Sequence, residues 1–370
     1  MADQCTVPAV RARKGGLPLV MVTAYDAPSA RIADEAGVDL ILVGDSVAMV
    51  VLGYDDTLQV TVADMAHHVG AVGRARPRAL VVADLPWLSY HLDAAETVRN
   101  AAVLVRAGAQ AVKLEGGRKR VAMVRALIDA EVPVMGHLGL TPQSVHAMGG
   151  FKVQGRDAEA ARVLVDDAAA LADAGCFAIV LEGVPDRVAK MVSAAVAVPT
   201  IGIGAGPWCD GQVLVFHDLV GLGERCVPKF VRAYGSLRAD GVAAVRAFAD
   251  DVRTGRFPAD AESYHLPADV VLTGAVGAGS GRVDASGRVD ASGSVDASGR
   301  HWGADRPVVA EGSDAVADLD RAPQGVAHRS IDLRSVTGGD AAIGRPDPEV
   351  ADLEEVTGLY GGVDLQAAGL

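Results

Sequence analysis

Eight short runs rich in Val, Ile and Leu recur through the first 270 residues, with longer amphipathic stretches between them, and this rhythm limits the fold more than any other feature. The runs cover residues 20–25, 40–43, 79–83, 111–114, 133–136, 177–181, 200–204 and 212–216. They are almost continuously apolar rather than alternating, as strands covered on both faces must be. Between them, residues 27–36, 61–74, 94–107, 118–129, 157–174 and 185–196 carry helical spacing, and Thr61 with Asp64 three residues on supplies a capping pattern for the second of these. Strand and helix alternating at this pace predict an α/β chain closed as a (β/α)8 TIM-type barrel. The rival, an open doubly wound sheet, would carry a Gly-x-Gly-x-x-Gly turn. The best candidate, Gly202-Ile203-Gly204-Ala205-Gly206, runs into Pro207 instead, so the dinucleotide signature fails.

After residue 270 the pattern stops. From Gly281 the chain reads GRVDAS, GRVDAS, GSVDAS, a repeat whose only sizeable apolar residue is Val. Such a repeat builds no core and reads as a linker. The expected organisation is therefore a catalytic barrel over 1–270, a low-complexity linker over 271–300 and an acidic, largely disordered tail over 301–370, with a short inducible helix near 348–360. On another view the tail recruits a partner and the barrel is a scaffold.

Composition narrows the partners. With 34 basic against 47 acidic residues, a net charge of −13 and 4% aromatics, the 370-residue chain lacks the basic face and stacking platforms that nucleic acid needs, and an anionic membrane surface is disfavoured equally. Charges, Gly or Pro break every apolar run well before the roughly 18 residues of a transmembrane helix. The first residues lack the basic-then-apolar order of a secretion signal, and Cys5, Cys176, Cys209 and Cys226 form no C-x-x-C pair. A reduced, cytoplasmic protein is expected.

In a barrel the reactive face is the C-terminal rim of the strands. The residues that close the runs are Asp26, Asp45 with Ser46, Asp84, Lys113 with Glu115, His137, Glu182, glycines 202, 204 and 206, and His217 with Asp218. Asp45, Asp84 and Glu115 offer three carboxylates from neighbouring strands without an accompanying Cys or paired His. An all-oxygen set with open positions suits Mg2+. Taken singly, each acid could instead be a helix cap or an ion-pair partner. Lys113 and Glu115, two apart on one strand, share a face. Lys113 is either a structural partner of an acid or a cation for a substrate carboxylate or oxyanion. Glu182 emerges from an apolar strand, the setting of a general base, but an ordinary rim acid or a fourth metal ligand would sit there too. His137 is either a donor to an oxyanion or a satisfied core histidine. His67 and His68 fall on a helix and read as surface and core residues. Ser46 has no His in triad order, which argues against a serine nucleophile. These parts suggest enolisation: a metal polarises a 2-oxo acid, a carboxylate removes the neighbouring proton, and the carbon attacks an electrophile.

Several ordered blocks carry a resemblance. They are Val22-Thr23-Ala24-Tyr25-Asp26, Leu42-Val43-Gly44-Asp45-Ser46, Ala83-Asp84-Leu85-Pro86 and Val112-Lys113-Leu114-Glu115-Gly116-Gly117, then Gly136-His137-Leu138-Gly139-Leu140-Thr141-Pro142-Gln143-Ser144. Gly149-Gly150-Phe151-Lys152-Val153-Gln154-Gly155-Arg156, Val180-Leu181-Glu182, Ile201 to Gly206 and Asp210-Gly211-Gln212 follow. Over about residues 8–265 the chain resembles the ketopantoate hydroxymethyltransferase family. The resemblance implies a barrel of the phosphoenolpyruvate mutase/isocitrate lyase type that moves a one-carbon unit from 5,10-methylenetetrahydrofolate to 3-methyl-2-oxobutanoate, giving 2-dehydropantoate. It implies Asp45, Asp84 and Glu115 as Mg2+ ligands; Asp45, Ser46, Asp84, Lys113 and His137 as keto-acid contacts; Glu182 as catalytic base; and a homo-oligomer, by resemblance a decamer. A lyase or mutase of the same superfamily, acting on another 2-oxo acid, is the alternative. Two features depart from the family pattern: Gly183, expected to hold Glu182 less tightly, and the tail, which has no counterpart.

Overall fold

A computed structural model describes residues 4–223 and 228–270; the expected linker, tail and inducible helix lie outside the described residues. Eight parallel strands close on themselves in chain order: β1 (Leu19–Thr23), β2 (Leu40–Val43), β3 (Leu80–Asp84), β4 (Ala111–Glu115), β5 (Val134–Gly139), β6 (Ala178–Glu182), β7 (Thr200–Ile203) and β8 (Gly211–Leu214). Each falls on one of the eight apolar runs. The ring closes where Leu19 faces Gly211 and Met21 faces Val213. A Cβ on Gly211 would lie 2.6 Å from the Leu19 carbonyl oxygen, so this seam admits only glycine.

The helices follow the expected segments: α1 (Ala27–Glu35), α2 (Val62–Arg74), α3 (Ala94–Ala107), α4 (Val121–Asp129), α5 (Ala158–Asp173) and α6 (Asp186–Ala195). The stretch 118–129 begins with one 3-10 turn, Arg118–Arg120, before α4. Acids at strand–helix junctions start several of these helices. Thr61 and Asp64 cap α2 reciprocally, Asp93 caps α3 and Asp157 caps α5. Asp26 caps α1, its Oδ1 accepting from Ser29 N at 2.7 Å, so this rim acid is structural.

Two departures concern the last strands. No helix follows β7; seven residues, 204–210, lead directly into β8. The run expected as a strand to residue 216 stops at Leu214, because Phe216 opens a short helix, Phe216–Leu219, whose first N–H donates to Thr23 Oγ1 at 2.9 Å. A longer helix, α7 (Leu237–Arg253), was not evident from the run pattern. The unit carrying the barrel extends to Phe257; residues 258–270 belong to a second unit and contain one 3-10 turn, Asp260–Glu262. Among the described residues no helix is long and apolar enough to cross a membrane.

The core has two layers because strand side chains alternate. Ile41, Val43, Val81, Ala83, Val112, Leu114, Ile179 and Leu181 point outward against the helices. Leu19, Met21, Leu40, Leu42, Leu80, Val82, Ala111, Met135, Val180 and Ile201 fill the barrel interior. The inward series continues toward the C-terminal rim in steps of two: Leu80, Val82, Asp84 on β3; Ala111, Lys113, Glu115 on β4; Met135, His137 on β5; Val180, Glu182 on β6. Apolar packing below and ionisable groups above thus occupy one continuous barrel interior.

At the N-terminal pole, Asp210 joins the β7–β8 connection to the start of the chain. Its Oδ2 accepts from Thr200 N at 2.8 Å and Lys14 Nζ at 2.9 Å, and its Oδ1 from Gly15 N at 2.8 Å. Burial alone would raise the Asp210 pKa, but these donors outweigh it and hold the carboxyl below its ordinary value. A carboxyl depressed in the folded state adds stability above its unfolded pKa of about 3.9 and loses it as pH falls through the lower folded value. We expect Asp210→Asn to cost about 2 kcal/mol in urea unfolding at pH 7 and to cost progressively less below pH ~4. An equal loss at pH 7 and pH 3 would contradict the account.

Candidate active site

Six buried ionisable side chains meet in one cavity at the C-terminal mouth of the barrel. Asp45, Asp84, Lys113, Glu115, His137 and Glu182 line it together with Ser46, Thr23, Met49, Phe151 and Asp218. All six are at most 6% exposed. Asp45, Ser46, Asp84, Lys113, Glu115, His137 and Glu182, the residues expected as metal ligands, substrate contacts and base, thus border one cavity, whereas Asp26 and His217 do not.

Backbone register does most of this work. Asp84 and Lys113 are direct neighbours across β3 and β4, and Lys113 Nζ stands 2.9 Å from Asp84 Oδ1, an ion contact without hydrogen-bond angles. Glu115 and His137 are direct neighbours across β4 and β5. Asp45 lies just past β2, and its N–H donates to Asp84 Oδ2 at 3.0 Å. Ser46 Oγ lies 2.9 Å from the buried Tyr25 hydroxyl, whose pKa burial raises.

His137 is neither a lone core histidine nor an isolated donor: it bridges two acids. Its Nδ1 is 3.3 Å from Glu115 Oε1 and its Nε2 3.3 Å from Glu182 Oε2. Nδ1 is also 3.1 Å from Lys113 Nζ, a contact that a neutral ring would accept. Burial and Lys113 favour the neutral ring, whereas Glu115 and Glu182 favour the charged one; the acids prevail and push the pKa up to about 9. The contacts with Glu115 and Glu182 are ion contacts at 3.3 Å rather than hydrogen bonds. Lys113 is held charged in the same way: burial opposes its charge, but Asp84, Glu115 and Asp45 more than compensate.

The charges do not balance. Four carboxyl groups face one ammonium and one imidazolium. Asp45 registers the excess: burial first, then Asp84 and Glu115, raise its pKa well above the ordinary carboxylate range. Glu115 Oε1 and Asp84 Oδ1 are buried without a hydrogen bond. Both oxygens are in ion contacts, with His137 and Lys113 respectively, and the excess of carboxylate oxygens over cationic groups fits a hard divalent cation. Among the described residues no three His, Cys, Asp or Glu side chains gather at direct ligating distance.

Gly183, the residue after Glu182, has φ +54°, the left-handed region that favours glycine. Its N–H donates to Ile203 O at 2.9 Å and its carbonyl accepts from Gln154 N at 2.9 Å. Glycine there therefore gives a pinned turn beside Glu182, where the sequence suggested a looser one. His67 is exposed, and His68 Nδ1 lies 2.7 Å from the Tyr25 carbonyl oxygen; neither reaches the cavity. Sequence reasoning missed Tyr90 and Gln143, both buried behind the acids. Gln143 belongs to the Thr141-Pro142-Gln143-Ser144 block, but a polar residue in a loop gives no signal that it turns inward.

Lys113→Met would leave Asp84 buried against like charges. Breaking such a pair should lower stability by about 3 kcal/mol, read as the denaturant midpoint. An unchanged midpoint would mean that the amine does not hold the acids together.

A family model described as ketopantoate hydroxymethyltransferase matches residues 4–260. The chain is 58% identical over 270 residues to 3-methyl-2-oxobutanoate hydroxymethyltransferase of Methylobacterium sp. (strain 4-46), covering 72% of this chain and 92% of that protein. It is 56% identical over 264 residues to the protein of that name from Moorella thermoacetica (strain ATCC 39073 / JCM 9320), covering 71% and 98%. Among solved structures it is similar to 2,3-dimethylmalate lyase, a PEP mutase/isocitrate lyase superfamily member, at 18% identity and TM-score 0.45 over 70% of this chain and 91% of that one. By the family match and by identity above one half across nearly the whole length of these relatives, the chain belongs to the ketopantoate hydroxymethyltransferase family.

Proposed function

We propose that this chain transfers a hydroxymethyl group from 5,10-methylenetetrahydrofolate to 3-methyl-2-oxobutanoate, giving 2-dehydropantoate for pantothenate and coenzyme A synthesis. The observation that carries this reading is its 53–58% identity to relatives bearing the name of that enzyme. The acidic cavity supports it chemically. Asp45, Asp84 and Glu115 would hold one Mg2+ per subunit, directly or through water. When bound, the cation supplies Lewis acidity at the 2-oxo oxygen and lowers the cost of removing the neighbouring proton.

The residues divide the remaining work. Lys113, Ser46 and His137 border the same cavity and offer donors to a keto-acid carboxylate or a developing oxyanion. Glu182 is the base that takes the proton from C3 of 3-methyl-2-oxobutanoate. The electron pair released at C3 forms the new bond to the folate methylene carbon. That carbon gives up its bonds to nitrogen and takes its hydroxyl from water, leaving tetrahydrofolate. His137, with Nε2 3.3 Å from Glu182 Oε2, orients the carboxylate by charge while the proton moves.

A cytoplasmic homo-oligomer, by family resemblance a decamer, is part of this proposal. The apolar residues that α7 leaves exposed, Val242, Val245 and Phe248 among them, support an assembled state. The barrel over 1–270, linker over 271–300 and tail over 301–370 are proposed as the organisation of the chain.

Two measurements test the proposal. Dehydropantoate formation should stop when a chelator is added and return with Mg2+. Glu182→Gln should slow deuterium exchange at C3 by 10²-fold or more, in line with loss of a general base, while keto-acid binding persists. Near-normal exchange in that variant would remove Glu182 from the role.

A further inference from the structure

Behind the acids lies a pair of neutral polar side chains that the proposed reaction does not use. Gln143 is 5% exposed and Tyr90 1% exposed. Gln143 Nε2 donates to Asp45 Oδ2 at 2.8 Å and to the Leu85 carbonyl at 3.0 Å, while its backbone N–H donates to Glu115 Oε2 at 3.0 Å. One residue therefore touches two carboxylates, one just past β2 and one on β4, with β3 between those strands. Tyr90 completes the arrangement. Its hydroxyl donates to Gln143 Oε1 at 2.6 Å and accepts from Glu115 N at 3.1 Å.

The orientation of the amide is determined by its neighbours. With the amide reversed, Oε1 would face a carboxylate and a carbonyl, all acceptors, in a buried site. The hydroxyl proton of Tyr90, aimed at Oε1, selects the orientation that gives both Nε2 protons to acceptors. Burial raises the Tyr90 pKa well above its ordinary value, so that proton stays in place.

We propose that Tyr90 and Gln143 form a positioning pair that sets the separation of Asp45 and Glu115 and so tunes the affinity of the cavity for a divalent cation. The inference rests on the metal reading above. Two like-charged carboxylates in a buried cavity repel, and without a tether they would separate or one would take up a proton. Gln143 supplies a side-chain amide N–H to Asp45 and its backbone N–H to Glu115, without adding a cation that would compete with the metal. Tethers of this kind behind metal ligands typically govern affinity by 10–100-fold.

The test is titration of Mn2+ alone into the full-length oligomer, for the unaltered protein, Gln143→Met and Tyr90→Phe, with the unfolding midpoint of each recorded without metal. Gln143→Met keeps the length of the side chain and the backbone N–H to Glu115 but removes the side-chain amide that holds Asp45, and Mn2+ binding should weaken by about tenfold or more. Tyr90→Phe keeps the ring and its packing, loses only the hydroxyl, and should weaken Mn2+ binding by a smaller factor in the same direction. A folded Gln143→Met that binds Mn2+ as tightly as the unaltered protein overturns the proposal, because a merely structural role would move the midpoint and leave affinity alone. If Gln143→Met does not fold, Tyr90→Phe decides: unchanged affinity overturns the pair and weakened affinity sustains it. Absence of Mn2+ binding in the unaltered protein is a separate result, which removes the metal reading and this inference with it.

Discussion

Burying six ionisable groups in an apolar barrel is the constraint on which the rest of this structure depends. A charge removed from water costs several kcal/mol unless it is paired. The barrel meets that cost by parity. Positions 84, 113, 115, 137 and 182 continue the inward series that Leu80, Val82, Ala111, Met135 and Val180 begin lower down. Direct register across β3–β4 and β4–β5 then sets Asp84 against Lys113 and Glu115 against His137. Pairing remains incomplete, and the excess of acids disfavours the charged form of Asp45 most clearly, the member placed by a turn rather than by a strand. Chemistry is therefore concentrated where the fold leaves a deficit of positive charge.

Much of this could be read from the chain. Continuous apolar runs reveal strands buried on both faces, and the closed barrel follows from their number and spacing. The residues that border the cavity were legible because ionisable types are scarce inside those runs and cluster at their ends. Asp26 shows the limit of that signal: the same residue type in the same kind of position serves as a helix cap, and only the hydrogen bond to Ser29 separates it from Asp45. His137 marks another limit. Its contacts with Glu115 and Glu182 depend on the stagger of neighbouring strands, which composition does not encode.

Other features required three dimensions. The missing helix after β7 and the early end of β8 reflect local hydrogen bonds, to Asp210 and from Phe216 N to Thr23 Oγ1, that periodicity does not report. Gly183 shows how a position can mislead when only size is considered. A small residue beside a base suggests slack, yet a left-handed backbone held by two hydrogen bonds makes glycine the residue that fits without strain. Gln143 lay within a recognisable block but was silent as to role, since a loop glutamine is ordinarily a surface residue.

The claim at the centre of this account is that carboxylates from separate strands share a hard cation at the mouth of the barrel. Anomalous diffraction at the manganese edge, from a crystal of the protein soaked in Mn2+, tests it most directly. The account predicts a single strong peak in the cavity bordered by Asp45, Asp84 and Glu115. Manganese bound only elsewhere on the surface, with that cavity holding none, would contradict it.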